Sequence, residues 1–249
     1  MADDTNGGRT RRRVLAGTAG VLGLGAAGLY LTADTAADVD DYPADFSADS
    51  GQSDGLGIAY ADRPVMGSLD ADRRLFAWSD YQCPYCRRFD GDTLPELAEN
   101  HVATGDLAIV FLDLPLLGER SLSAGVVSKA VWRAVRDDDP NAWGRFHRYV
   151  FSKQGPENGE WAAESNLLSY AAVVDGVPGE TVERLVVDDR DALAASVRAD
   201  ASVAFDDLGI ERGAPVFALS NPSTGDWTSI RGSQPVEAFR DAMTQLGEN

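Results

Sequence analysis

Cysteine occurs only twice in the 249 residues, at 83 and 86, histidine only at 101 and 147, and lysine only at 129 and 153. Two thiols cannot supply a disulfide framework, and a chain with 44% hydrophobic residues has enough apolar material to build a core without one. A structural zinc site would need two more ligands beside a C-x-x-C pair. The histidines stand 46 residues apart, far outside the H-x3–5-H spacing, so no metal is expected there. Positive charge is also scarce, with 22 basic residues against 40 acidic and a net charge of −18. Phosphate contacts need a basic face, so no nucleic-acid partner is expected. No cysteine follows the N-terminal apolar run before position 83, which excludes a lipid-modified cysteine there. No internal repeat is present.

Aspartate makes up 29 of the 40 acids, and arginine 20 of the 22 basic residues. An ordinary acidic protein would have this balance, and so would a protein adapted to high salt. In the second case the Debye length shrinks to about 3 Å at 1 M, and dense carboxylates keep the surface hydrated without strong self-repulsion. The near-absence of lysine favours the halophilic reading. It bears on habitat, not on chemistry.

The N-terminus reads TRRRVLAGTAGVLGLGAAGLYL. Arg11 to Arg13 precede an apolar run from Val14 to Leu31, the pattern of a twin-arginine export signal. Residues 1–31 are therefore read as an export signal or membrane anchor. Thr35-Ala36-Ala37 suits cleavage, while the 18 residues of the run are just long enough to span a bilayer. The expected location is extracytoplasmic, either secreted or tethered to the outer face of the membrane by residues 14–31. Residues 32–56 are acidic, small and poor in large apolar side chains, which reads as a disordered linker outside the fold.

From residue 57 the pattern alternates. Ile58 to Val65 is a candidate opening strand, and Arg74 to Trp78 a short strand running into the cysteines. Pro84 to about Ala103 is helical with Pro95 as a kink, and Leu107 to Leu114 is a buried strand. Residues 121–207 carry apolar residues at helical spacing. Strand signals return at Pro215 to Leu219 and in WTSIRG, and a helix from Pro235 to Leu246 closes the chain. The fold class is α/β.

The two thiols lie in SDYQCPYCRRF. Pro84 suits the first turn of a helix, where its missing N–H would have no partner. That puts Cys83 at the helix N-terminus, where free amides and the dipole stabilise a thiolate, with Cys86 one turn inward and shielded. Cys83 is then the attacking sulfur and Cys86 the resolving one, exchanging disulfides through a mixed disulfide. A purely structural bridge across two residues closes almost no loop and gains little. Thiolates also suit Cu(I), but no Met or His lies nearby in sequence.

FAWSDYQCPYCRRFDGDTLPEL resembles the active-site segment of the DsbA-like thioredoxin-fold disulfide oxidoreductases. GAPVFAL resembles that family's cis-proline segment, IRGSQPVEAFRDAM its closing strand and helix, and FHRYVFSKQ a piece of its inserted helical domain. The resemblance covers about residues 58 to 246. It implies a thioredoxin-like fold with a core over 57–118 and 208–249 and a helical insertion over 119–207, making one DsbA-like domain over 57–249. It implies catalysis by Cys83 and Cys86, with Pro84 and Tyr85 completing the active-site motif. It also implies a cis Ala214–Pro215 bond facing Cys83, which exposes the Ala214 backbone to a substrate segment. The sequence departs from the family in three places. Ala77 stands where the family often has a buried acid six positions before the first cysteine, leaving Asp80 as a proton acceptor or a turn former. Tyr85 stands where the best-known oxidases have His, and Ala214 lacks the hydroxyl often found before the cis-proline. Arg87, four after Cys83, either faces the thiol or is solvated together with Arg88.

The expected function is an exported thiol–disulfide oxidoreductase. Its clients would be exported proteins with thiols or disulfides, and a membrane partner would exchange electrons with it. The Cys83–Cys86 disulfide would be its only redox group, with no other cofactor. An extracytoplasmic copper-binding carrier or a chaperone on the same scaffold is the alternative. C-P-Y-C is also the glutaredoxin dipeptide, but glutaredoxins lack a helical block of this length.

Overall fold

A computed structural model describes residues 37–48 and 56–247. The apolar run 14–31 lies outside the described residues. Among the described residues no helix is long and apolar enough to cross a membrane.

The strands are β1 (Phe46–Ser47), β2 (Val65–Met66), β3 (Arg73–Ser79), β4 (Leu107–Asp113), β5 (Val216–Ser220) and β6 (Trp227–Arg231). They form one sheet in the order β1-β2-β4-β3-β5-β6. Only β3 and β4 run parallel, with Phe76 opposite Val110, and the other neighbours are antiparallel. The parallel pair is joined by a helical crossover, as a βαβ unit requires. Side chains alternate across the pleat. Leu75, Ala77, Ile109 and Phe217 face one apolar cluster, while Phe76, Trp78, Val110 and Val216 face a second on the other side of the sheet. Both faces of the central strands are buried, which explains why β4 reads as an unbroken apolar run.

The crossover starts as α1 (Pro84–Arg88) and continues through a π-helical turn at Phe89–Thr93, α2 (Leu94–Leu97) and a second π turn at Ala98–Val102. The sequence places a kink at Pro95, and the chain widens by one residue just before it. Leu94 N donates to Phe89 O, five residues back. Pro95 has no N–H to continue the ladder, and the wider turn absorbs the loss without breaking the helix.

The helical stretch expected over 121–207 resolves into α3 (Glu119–Val135), α4 (Asn141–Ser152), α5 (Glu164–Val173), α6 (Gly179–Asp188) and α7 (Arg190–Ser202). A buried ionic cluster ties this block to the sheet. Lys129 Nζ on α3 lies 2.7 Å from Asp200 Oδ2 on α7 and 3.6 Å from Asp113 Oδ2 on β4. Arg63 Nη2 reaches Asp200 Oδ1 at 2.5 Å, and Asp113 N donates to Asp200 Oδ2 at 3.2 Å. The chain closes with α8 (Val236–Gln245), with Pro235 as its N-cap.

Two expectations need correction. Ile58 to Val65 is not a strand. Ile58 and Tyr60 are buried on the Phe76 side of the sheet from an irregular segment, and only Val65–Met66 pairs. The acidic stretch 32–56, expected to be a disordered linker outside the fold, is partly built into it. Its described portion, 37–48, supplies the edge strand β1. Ala37 bridges to Val174. Tyr42 and Phe46 are buried, and Phe46 packs on Phe111 and Trp143 at ring separations of 5.4 and 5.2 Å. Gly144 on α4 makes room for this strap, since a Cβ there would lie 2.6 Å from the Phe46 ring. The Tyr42 hydroxyl donates to Asp90 on the crossover helix, and the Arg148 guanidinium lies 4.0 Å from the Tyr42 ring centroid. A few large side chains thus anchor a segment whose average composition is that of a tether. Tyr42→Phe should lower stability by about 1.5–3 kcal/mol, the usual range for a hydrogen bond to a charged group. A urea midpoint equal to that of the wild type would mean the strap contributes nothing through this contact.

Candidate active site

Strand β3 delivers Asp80, Tyr81 and Gln82 to the start of α1, so the thiols sit at the C-terminal end of a central strand. Cys83 is the N-cap of α1 with extended backbone (φ −79°, ψ 120°), and Pro84 follows at the first helical position. Both cysteines are free thiols and both are buried, Cys86 completely. The Ala214–Pro215 peptide is cis, and Cys83 Sγ lies 3.3 Å from Ala214 O. The structure therefore brings Cys83, Pro84, Tyr85, Cys86, Ala214 and Pro215 together, as the sequence motifs suggest. Tyr85 is the outward member of the motif, 59% exposed.

The two sulfurs differ in their protonation. The Cys83 thiol pKa is lowered to about 7, chiefly by a hydrogen bond from the Cys86 thiol, then by the backbone N–H groups of Cys86 and Tyr85, against the opposing effect of burial and Asp80. Cys86 is pushed well above its ordinary value, first by burial and then by its bond to Cys83. The amides expected to stabilise the thiolate thus act second to the partner thiol. Iodoacetamide labelling of Cys83 in the reduced protein should reach half its maximal rate near pH 7, since only the thiolate reacts. A midpoint near the ordinary 8.5 would remove the basis for treating it as activated.

Asp80 is buried beneath the motif. Its Oδ1 accepts from Gln82 N at 2.8 Å, and its Oδ2 accepts from Leu116 N and Leu117 N at 3.0 and 2.9 Å. Burial raises its pKa against these bonds. The carboxylate fastens the active-site loop to the segment after β4, and its negative charge also raises both thiols. Ala77 is buried in β3 and has no ionisable group to offer. Arg87 is exposed and its Nη1 donates to Gln154 O at 3.3 Å, with no bond to Cys83 Sγ.

Several positioning groups have roles that the sequence motifs do not assign. Gln154, at the close of the FHRYVFSKQ segment, donates its Nε2 to Tyr81 O at 2.6 Å and to Cys83 O at 3.0 Å. Gln82 is buried, donating Nε2 to Ser121 Oγ at 2.9 Å and accepting from Asn158 N at 2.5 Å. The helical block thereby holds the backbone on both sides of Cys83. His147 is buried in an aromatic nest with Tyr81, Trp143 and Phe151. Its Nδ1 pairs with Tyr81 Oη at 2.7 Å and its Nε2 lies 3.5 Å from Asp90 Oδ1. Burial lowers its pKa to about 3, so this contact involves a neutral imidazole and is not an ion pair. Among the described residues no group of three or more His, Cys, Asp or Glu is placed to hold a metal ion.

Comparison with known proteins bears on the family and the fold. A thioredoxin family model matches residues 60–223. Disulfide bond formation protein D of Bacillus subtilis is 28% identical over 141 residues, 57% of this chain and 61% of that protein. The chain therefore spans about three fifths of that relative's length. A probable disulfide bond formation protein D of Bacillus anthracis is 25% identical over 175 residues, covering 70% of this chain and 77% of that one. Among solved structures, oxidised BdbD from Bacillus subtilis superposes with a TM-score of 0.63 at 23% identity, covering 82% of this chain and all of that one. Alpha-DsbA1 from Wolbachia pipientis gives a TM-score of 0.60 at 18% identity, covering 75% of this chain and 92% of that one. These structural likenesses are of fold.

Proposed function

The chain belongs to the thioredoxin family, and on that premise we propose that it is an exported thiol–disulfide oxidoreductase that forms disulfides in other exported proteins. The observation that carries the reading is the pairing of an activated Cys83 at a helix N-terminus with a cis-proline backbone 3.3 Å away. The names of the Bacillus relatives support the oxidising direction.

In the oxidised form a client thiolate attacks Cys83 Sγ and breaks the Cys83–Cys86 bond. Cys86 leaves with the electron pair and takes up a proton, for which its raised pKa suits it. The client is then joined to Cys83 as a mixed disulfide, with its chain alongside the Ala214 carbonyl. A second client thiolate attacks the client sulfur, and Cys83 leaves as a thiolate. Its pKa of about 7 makes it a good leaving group. The client gains one S–S bond and loses two electrons and two protons; the cysteine pair takes both electrons, one proton goes to Cys86 and the other to water, leaving a Cys86 thiol beside a Cys83 thiolate. The Cys86 thiol bonded to the Cys83 thiolate stabilises that reduced form, which makes the pair more oxidising. A membrane-held redox partner would take the two electrons away. The twin-arginine pattern at Arg11–Arg12 supports export, and residues 14–31 would be either removed or kept as a tether.

The test is catalysed reoxidation of a reduced client protein, run beside insulin reduction, with Cys83→Ser as control. Equal rates for the wild type and the variant reject the proposal. The Cys83/Cys86 couple should have a potential less negative than the about −270 mV of a thioredoxin-type reductant.

A further inference from the structure

The geometry points to a charge preference in the client. The segment flanking the reactive cysteine of a preferred client is acidic, and Arg88 and Arg231 select it. This rests on the redox reading above and deepens it.

A hollow of about 440 Å³ opens between Tyr85 on α1 and the cis-proline segment, and one of its lining residues, Ala214, has its carbonyl oxygen 3.3 Å from Cys83 Sγ. Its wall is formed by Tyr85, Gly213, Ala214, Pro215 and the turn after β6, with Arg88 and Arg231 as its charged members. No carboxylate lines it. In a chain with 40 acids and 22 bases, a lining with two cations and no anion is a local reversal of the global charge. The overall field of such a protein repels acidic chains at long range, so what admits them must act at contact. Two guanidiniums on the rim meet that need, since they bind carboxylates in planar, paired geometry.

The neighbouring charges limit the reach of this selection. Arg88 Nε lies 3.6 Å from Asp92, and Arg231 pairs with Glu211, so each cation is partly compensated. Both arginine side chains are well exposed, at 66% and 46%, so they remain able to turn to a client. Beyond Arg88 the surface continues into a second hollow of about 280 Å³ that holds Asp92, Glu96 and Glu237. Acidic selection is therefore confined to the stretch beside Cys83 and Pro215, and a client chain running on toward Glu237 meets negative charge. The arrangement sets a register as well as a preference.

The experiment uses the oxidised protein and short reduced peptides with one cysteine flanked by glutamates, by lysines or by serines. Stopped-flow rates of disulfide exchange are each normalised to the same peptide's rate with hydroxyethyl disulfide. That removes the effect of flanking charge on the peptide thiol itself. The wild type should favour the acidic over the neutral peptide by roughly two- to tenfold, the range for two exposed ion pairs. Glu211→Gln, which frees Arg231, should widen the preference. Arg88→Glu with Arg231→Glu should invert it, a gain on the lysine peptide that a merely unfolded variant could not show. At 1 M KCl, with a Debye length of about 3 Å, the preference should shrink to the part that direct guanidinium–carboxylate contact supplies, and keep its sign. Equal normalised rates for all three peptides, or a wild-type preference for the lysine peptide, overturn the charge selection while leaving the oxidoreductase reading intact. Failure of that reading would look different, with no peptide reacting faster with the wild type than with Cys83→Ser.

Discussion

Substituting serine for Cys83 is expected to bring disulfide exchange down to its uncatalysed rate, while Cys86→Ser accumulates a covalent adduct with the client. The asymmetry follows from which sulfur is reachable and which is ionised. A serine hydroxyl cannot replace a thiol whose pKa stands at about 7, because no alkoxide forms at neutral pH. In Cys86→Ser the attacking sulfur is intact. A client disulfide is opened by Cys83, and the mixed disulfide then has no internal thiol to resolve it. The adduct should appear on non-reducing gels, disappear with dithiothreitol, and be absent from the double variant. Cys86→Ala should raise the Cys83 pKa, because it removes the side-chain donor that most strongly holds it down. If adducts formed in Cys83→Ser and not in Cys86→Ser, the roles of the two sulfurs would be exchanged.

The second large effect concerns stability. Asp200→Ala should destabilise the fold by about 3–5 kcal/mol, the range for breaking a buried ion pair from one side. Asp200 is fully buried and accepts from both Lys129 and Arg63, and its own carbonyl accepts from Trp78 Nε1 at 2.8 Å. Without it Lys129, whose side chain is 3% exposed, keeps only the more distant Asp113. A double variant, Lys129→Met with Asp200→Leu, should lose less than the sum of the two single changes, because the pair is removed together. Urea titrations with unchanged slope would measure both, and a loss under about 1 kcal/mol for Asp200→Ala would show that the cluster is not held as described.

The same cluster has a pH signature. Burial raises the Asp113 pKa from 3.8 to about 7 against the attraction of Lys129. In the unfolded chain Asp113 loses its proton near pH 4, whereas the folded chain keeps it until about 7. The unfolded state thus binds fewer protons across that window, so this residue's contribution to stability falls as pH rises from about 4 to 7. Asp113→Asn should flatten that part of the curve, and the difference between variant and wild type isolates it from Asp90 and His147, which titrate nearby.

The readable parts of this protein are those set by local chemistry. Cys83-Pro84 at a helix start, the apolar run of β4 and the Gly-Ala-Pro segment each carry their reason within a few residues. The strands at Arg73–Ser79 and Val216–Ser220 follow the same logic, the first reaching one residue beyond the sequence-based bounds at each end and the second shifted by one residue toward the C-terminus. What escaped reading depends on distant partners. Gln154 meets the Cys83 carbonyl across 71 positions. Ile58 and Tyr60 have the alternation of a strand but lie outside the sheet, since β2 takes the edge of β4 with Val65 and Met66 only. Tyr42 and Phe46 are large anchors diluted among Asp and Ala, and average composition hides them.

The strap also decides where the polypeptide can be shortened. A version that begins at residue 57 would drop Phe46 from its seat against Phe111, Trp143 and Gly144, uncovering a greasy furrow on α4 and leaving Asp90 without the Tyr42 hydroxyl. Such a fragment should be prone to clumping, whereas one that begins before residue 37 keeps its own plug.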